Sequence, residues 1–203
     1  MSVKVLVFDT ETTWFPRRFS SSLSEQPYII QFWSLYMELG KDVEKELDII
    51  DILIKPAKEW LISKWALEIH WISDCDLKDE RPFSEHYERI LSAIKWADYI
   101  VCHNFDFDYW KMLRIEMERM WDFDTREKNR SKKICTMVTQ SVLDFCAIPW
   151  THWTNYKWPK LQELHKKIFW TEFENAHDAF ADVTATYRCF KELVRKRILS
   201  LSK

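Results

Sequence analysis

The stretch VKVLVFD, Val3 to Asp9, is apolar on both faces and rich in β-branched side chains. Such a segment fits only as a central strand covered from both sides, so the chain must supply a layer for each face. YIIQFWSLYMEL (Tyr28 to Leu39) and ELDIIDILIKP (Glu46 to Pro56) read as the next two strands, with the charged stretch from Gly40 to Lys45 turning between them. SEHYERILSAIKWA (Ser84 to Ala97) reads as a helix with Tyr87, Ile90, Leu91 and Ile94 on one face. DYIVCHN (Asp98 to Asn104) is a short buried strand, followed by a helix with Trp110, Leu113, Met117 and Met120 at spacings of three and four. A last long helix from Asp178 to Arg197 carries the stripe Val183, Tyr187, Phe190 and Val194. Strands first, then strands alternating with helices, describe an α/β domain around a mixed sheet. With 203 residues, no repeat and no linker, residues 1–203 read as one domain.

Hydrophobic residues make up 47% and charged residues 31%, which excludes a disordered chain. The net charge of −2 gives no global basic field. That does not exclude a nucleic-acid enzyme, which needs only a basic rim. DTREKNRSKK (Asp124 to Lys133) is the one concentrated basic stretch, either a solvated loop or a phosphate-contacting one. The five cysteines form no CxxC pair and are odd in number, as expected of reduced thiols. With no signal-like start and no apolar run near about 18 residues, the expected location is cytoplasmic, without membrane contact.

Three acidic motifs carry the chemistry. Asp9 and Glu11 stand at i and i+2, so an extended chain points both carboxylates to one face just past a buried strand. Carboxylates this close repel unless protonated or neutralised, and a divalent cation is the usual neutraliser. In CHNFDFDYW, Asp106 and Asp108 follow a strand and open a helix, where the helix dipole favours negative charge. In NAHDAFADV, His177 and Asp182 are five apart and would not share one helical face. His177 is therefore expected on the turn leading into the helix, with Asp182 one turn inside it.

Together, D-x-E after the first strand, HNxxFD after a later one and H-x4-D opening the last helix resemble the DnaQ-like DEDDh exonucleases. The likeness spans Val3 to about Val194 and includes DTETT, Ile69-His70, YIVCHN and KLQELHKKIF. It implies an RNase H-like fold, a mixed β-sheet flanked by helices, and a proofreading-type 3′–5′ exonuclease that releases nucleoside monophosphates using two Mg²⁺ or Mn²⁺ ions. By that pattern Asp9 bridges both metals, Glu11 and Asp182 hold the one carrying the attacking water, and Asp108 supports the other. His177 is then the general base, suited by an imidazole pKa of about 6.5. Two ions about 3.5–4 Å apart would stabilise attacking and leaving oxygens, and hard oxygen ligands suit Mg²⁺ or Mn²⁺. Asp106, two residues early for the motif, is left either to support the metal ligands from behind or to solvent. Thr12, Phe15, Ile69, His70 and Phe107 match positions lining the terminal-nucleotide pocket. The implied partner is a single-stranded 3′ end, DNA ahead of RNA. An RNA-trimming enzyme and a binding protein that lost turnover are the alternatives, and a polymerase partner stays open.

One count stands apart. The chain has a single glycine, Gly40, and 12 tryptophans, where average usage of about 7% would give roughly fourteen glycines. Against the family pattern, Trp14, Trp33, Trp71, Trp96 and Trp170 stand where glycine is usual. An indole at a positive-φ glycine site is expected to cost roughly 1–3 kcal/mol. Trp14 in particular is expected to fill space beside the terminal nucleotide. Trp33 and Trp96, far in sequence from the acidic motifs, should bear on stability.

Overall fold

The apolar run at the start becomes β1 (Val3–Thr12), and it sits in the middle of a five-stranded sheet. The computed structural model describes residues 2–16, 22–58, 61–125, 129–150, 156–175 and 178–201. β2 (Ile29–Leu39) and β3 (Glu44–Leu53) follow as an antiparallel meander, while β4 (Tyr99–Cys102) and β5 (Lys133–Cys135) pair parallel on the other side. The strand order is β3-β2-β1-β4-β5. The parallel pairing of β1 with β4 requires a crossover, supplied by α1 (Lys64–His70) and α2 (Phe83–Trp96).

Alternation along β1 divides the core. Val5 and Val7 face one layer with Leu35, Val142, Leu164, Val183, Phe190 and Leu193. These come from α4 (Gln140–Cys146), α5 (Leu161–Phe169) and α6 (Ala179–Arg195) as well as the sheet. Leu6 and Phe8 face the opposite layer with Ile90, Ile94, Met112, Leu113 and Met117. Both layers are apolar where they meet Val5 to Phe8, which is why that part of β1, past the exposed Lys4, carries no polar side chain before Asp9.

After β4 the chain forms a π-helical segment, Asp106–Leu113, that runs into α3 (Arg114–Arg119). Here the structure departs from the plain α-helix read from spacing: the Arg114 N–H reaches back five residues to the Tyr109 carbonyl. Leu113 and Met117 are buried as expected, and Trp110 and Met120 pack at the margin.

α3 also holds the loop before β2. Glu116 is buried and accepts from the Ile29 N–H at 3.0 Å and from Arg119 Nη1 at 2.7 Å. Arg119 in turn donates to the carbonyls of Leu23, Gln26 and Pro27 and lies 3.8 Å from the Tyr28 ring centroid. Burial pushes the Glu116 carboxyl up and the Arg119 charge opposes it. Arg119→Met strands that carboxylate, so we expect a loss of about 3–5 kcal/mol in urea unfolding, partly recovered by pairing it with Glu116→Gln. A change below about 1 kcal/mol would mark the pair as dispensable.

Candidate active site

The acidic motifs converge where β1 leaves the core. Because strand side chains alternate, Asp9 and Glu11 continue the Val5–Val7 face towards α6, while Thr10 and Thr12 point the other way. Across the antiparallel pair, Asp9 stands opposite Trp33 and Glu11 opposite Gln31. Asp108, 2% exposed, comes from the first turn of the π-helical segment. It is held there by the Thr10 hydroxyl at 2.9 Å and the Thr10 N–H at 3.2 Å, both donating to Oδ1. Asp182 stands in the first turn of α6, whose N-cap Asp178 accepts from the Ala181 N–H at 3.0 Å. Asp106, two residues before Asp108, is exposed and ion-paired to Lys111 at 2.6 Å, the solvent-side member of the two roles read for it.

The carboxylates feel one another. Burial is the largest cause of the rise in Asp9, followed by the charges of Asp108, Glu11 and Asp182. Glu11 is pushed up to about 8 by burial, then by Asp182, Asp108 and Asp178. Asp108 rises to about 7 through burial, against the Thr10 hydrogen bonds that favour its charged form. Four hard oxygen donors that resist ionising together are the donor set a divalent cation satisfies. Among the described residues, no group of three or more His, Cys, Asp or Glu side chains is placed so that it could hold a metal ion as it stands. His177 lies outside the described residues.

The residues matched to the nucleotide pocket are partly gathered. Phe15, exposed, lies 5.4 Å from Phe107 between ring centroids. Trp65, on α1, lies 4.9 Å from Phe15 and completes an aromatic cluster that the sequence analysis missed. Thr12 is buried, and its hydroxyl donates to the Trp14 carbonyl at 3.2 Å. His70 is also buried; its Nε2 lies 3.2 Å from the Thr12 carbonyl and its Nδ1 accepts from the Ile72 N–H at 3.0 Å. Burial lowers its pKa, so it is a neutral tie between α1 and β1. Ile69 is half-buried beside it.

The tryptophans fall into two groups. Trp71 and Trp170 adopt positive φ, as glycine sites would. Trp14, Trp33 and Trp96 do not. Trp14 packs edge-on against Tyr28 at 6.5 Å and is not part of the Phe15 cluster; its Nε1 is buried without a partner. Trp33, distant from the motifs in sequence, is buried directly across from Asp9 and packs on Phe180 at 5.2 Å.

Comparison with known proteins decides the family. The sequence matches the RNase_T family, described as exonuclease, over residues 6–190. The chain belongs to this exonuclease family. Its likeness to DEDDh exonucleases, read from three motifs, agrees with the solved structures it resembles. E. coli Exonuclease I in complex with a dT13 oligonucleotide is 19% identical, with a TM-score of 0.69 over 96% of this chain. This exonuclease-family chain spans 41% of that protein's length. The nuclease domain of 3′hExo, a DEDDh family member bound to rAMP, is 12% identical, with a TM-score of 0.66 over 98% of this chain and 96% of that one. Exonuclease X in complex with 5′ overhanging duplex DNA is 15% identical, with a TM-score of 0.54 over 95% of this chain and 93% of that one. No curated protein sequence matches the chain. No helix among the described residues is long and apolar enough to cross a membrane.

The raised carboxyls set a pH dependence with a definite sign. A carboxyl whose folded pKa exceeds its unfolded value binds protons more tightly when folded. Its contribution is fully present below the unfolded pKa, 4.5 for Glu11, and is lost as pH rises through the folded value near 8. The metal-free exonuclease is therefore expected to melt lower at pH 8 than at pH 5. Mg²⁺ at about 100-fold its pH 8 Kd should add roughly 2.7 kcal/mol there, and the same concentration should add less at pH 5 because protons compete for the same oxygens. Thermal melts at both pH values, with MgCl₂ and with EDTA, check this. An equal Mg²⁺ effect at the two pH values would contradict it.

Proposed function

We propose that this chain is a metal-dependent 3′–5′ exonuclease that hydrolyses phosphodiester bonds at single-stranded DNA ends and releases nucleoside monophosphates, as a proofreading enzyme does. The observation that carries the reading is the convergence of Asp9, Glu11, Asp108 and Asp182 at the end of β1, each raising the cost of ionising its neighbours. Those carboxylates would hold two Mg²⁺ or Mn²⁺ ions, which when bound supply positive charge for the attacking and leaving oxygens. His177 takes the proton from the attacking water. Thr10 keeps Asp108 in place, and Phe15 with Phe107 offers faces against which a terminal base stacks. DNA is the first reading and RNA the second; the 2′-hydroxyl is the feature that separates the two polymers.

The test is degradation of matched single-stranded DNA and RNA, labelled at the 5′ end, with Mg²⁺, Mn²⁺ or EDTA. A ladder shortening from the 3′ end of DNA, dependent on metal and silent in EDTA, is the expected result. Faster loss of RNA makes the chain an RNA-trimming enzyme. Binding without release of mononucleotides makes it a binding protein.

A further inference from the structure

Glycine is the residue for which positive φ costs little, because it has no Cβ. In this protein the one glycine, Gly40, is not used that way, since no glycine among the described residues has positive φ. Trp71, Trp121 and Trp170 do, at φ of 60°, 59° and 66°. Each follows the last turn of a helix and closes it. The Trp71 N–H donates to the Leu67 carbonyl at 2.9 Å, Trp170 to Lys166 at 2.9 Å and Trp121 to Glu118 at 3.1 Å. A left-handed residue just past a helix, its N–H returned to the final turn, is the place where glycine ends helices most often. For a bulky side chain the same backbone is an outlier.

Little at these sites offsets the strain: among the described residues the one ring contact is Trp121 edge-on to exposed Phe123 at 6.4 Å. The indoles are 79%, 84% and 86% exposed for Trp71, Trp121 and Trp170. Compare Trp110, whose backbone is helical and whose ring lies 5.1 Å from Tyr109 and 6.3 Å from Phe105. At Trp110 the fold uses an indole. At the other three positions it uses a left-handed backbone that a Cβ makes costly, one that Ala147, Asn175 and Arg197 also adopt, and it leaves a bulky indole largely in water.

We infer that the cell that makes this protein inserts glycine at positions 71, 121 and 170. A glycine-charged tRNA there reads a triplet that a different decoding assigns to tryptophan. This accounts for the composition and the backbone together: a glycine-poor, tryptophan-rich chain in which three of the 12 tryptophans occupy helix-terminating glycine geometry. It does not depend on the exonuclease reading, and Trp121 adds a site that the family likeness did not flag.

Three measurements bear on it. In protein isolated from its own host, mass spectrometry of the peptides covering positions 71, 121 and 170 should show glycine; tryptophan in those peptides overturns the inference. In the gene, the three positions should share a triplet other than the standard tryptophan codon; the standard codon at all three overturns it equally. In recombinant protein with tryptophan throughout, W71G, W121G and W170G should each raise the folded-to-unfolded ratio about 5- to 30-fold, while W110G lowers it. If the three glycine variants are no more stable than the parent, the backbone at these sites does not call for glycine and the inference fails.

Discussion

Replacing Asp9 with asparagine should abolish strand hydrolysis while leaving the protein folded, with a rate loss of at least roughly 10³-fold. Several kcal/mol of transition-state charge stabilisation comes from bound ions, and each 1.36 kcal/mol is about tenfold in rate. The ionisation of Asp9 is opposed by burial and by the other three carboxylates of the site, Asp108, Glu11 and Asp182. The amide keeps its shape and removes its charge, so the metal-free variant should melt no lower than the parent and should respond less to Mg²⁺. Loss of activity with an unchanged Mg²⁺ response would place the ions elsewhere. Full activity would remove Asp9 from the site altogether.

His177→Ala should lower turnover by about 10²–10⁴-fold, the range for removal of a general base, with the Mg²⁺-induced rise in melting temperature retained. His177 lies outside the described residues, so its role rests on the motif and on the chain that follows it: Asp178 caps α6 and Asp182 stands one turn later. The parent's rate should fall as pH drops through the imidazole pKa of about 6.5. In the variant that limb should vanish. A variant that keeps the parent's rate and profile shows that His177 holds the turn and does not handle the proton.

Much of this was legible in the sequence because the strongest signals were local. VKVLVFD fixed a doubly buried strand, and Asp9 and Glu11 had to emerge together from its end because strand side chains alternate. The helix over Phe83–Trp96 followed from a three-and-four spacing that the core uses at Ile90, Leu91 and Ile94. What the sequence hid was tertiary. The pairing of Trp33 with Asp9 depends on the β1–β2 register, which no short window contains. His70, matched to the nucleotide pocket, has its ring nitrogens within hydrogen-bond distance of backbone groups. Trp65 joined Phe15 only once α1 was placed beside the end of β1. The π-helical turn escaped because hydrophobic spacing of three and four describes its neighbour α3 equally well.

That wide turn has a consequence for how the chain can change over time. Between Asp108, fastened to Thr10, and Leu113 with Met117, fastened in the core, the wider π pitch accommodates one residue more than an α-helix of the same reach. Exposed Asp106 and Lys111, five apart, pair across that wider pitch. Losing any one residue of this stretch would return it to ordinary pitch and swing one end about 100° relative to the other. Either the carboxylate would leave Thr10 or the apolar side chains would leave the core. Substitutions on the solvent side are cheap here, whereas a single-codon deletion is not, so descendants of this gene should vary in spelling across the segment and keep its length.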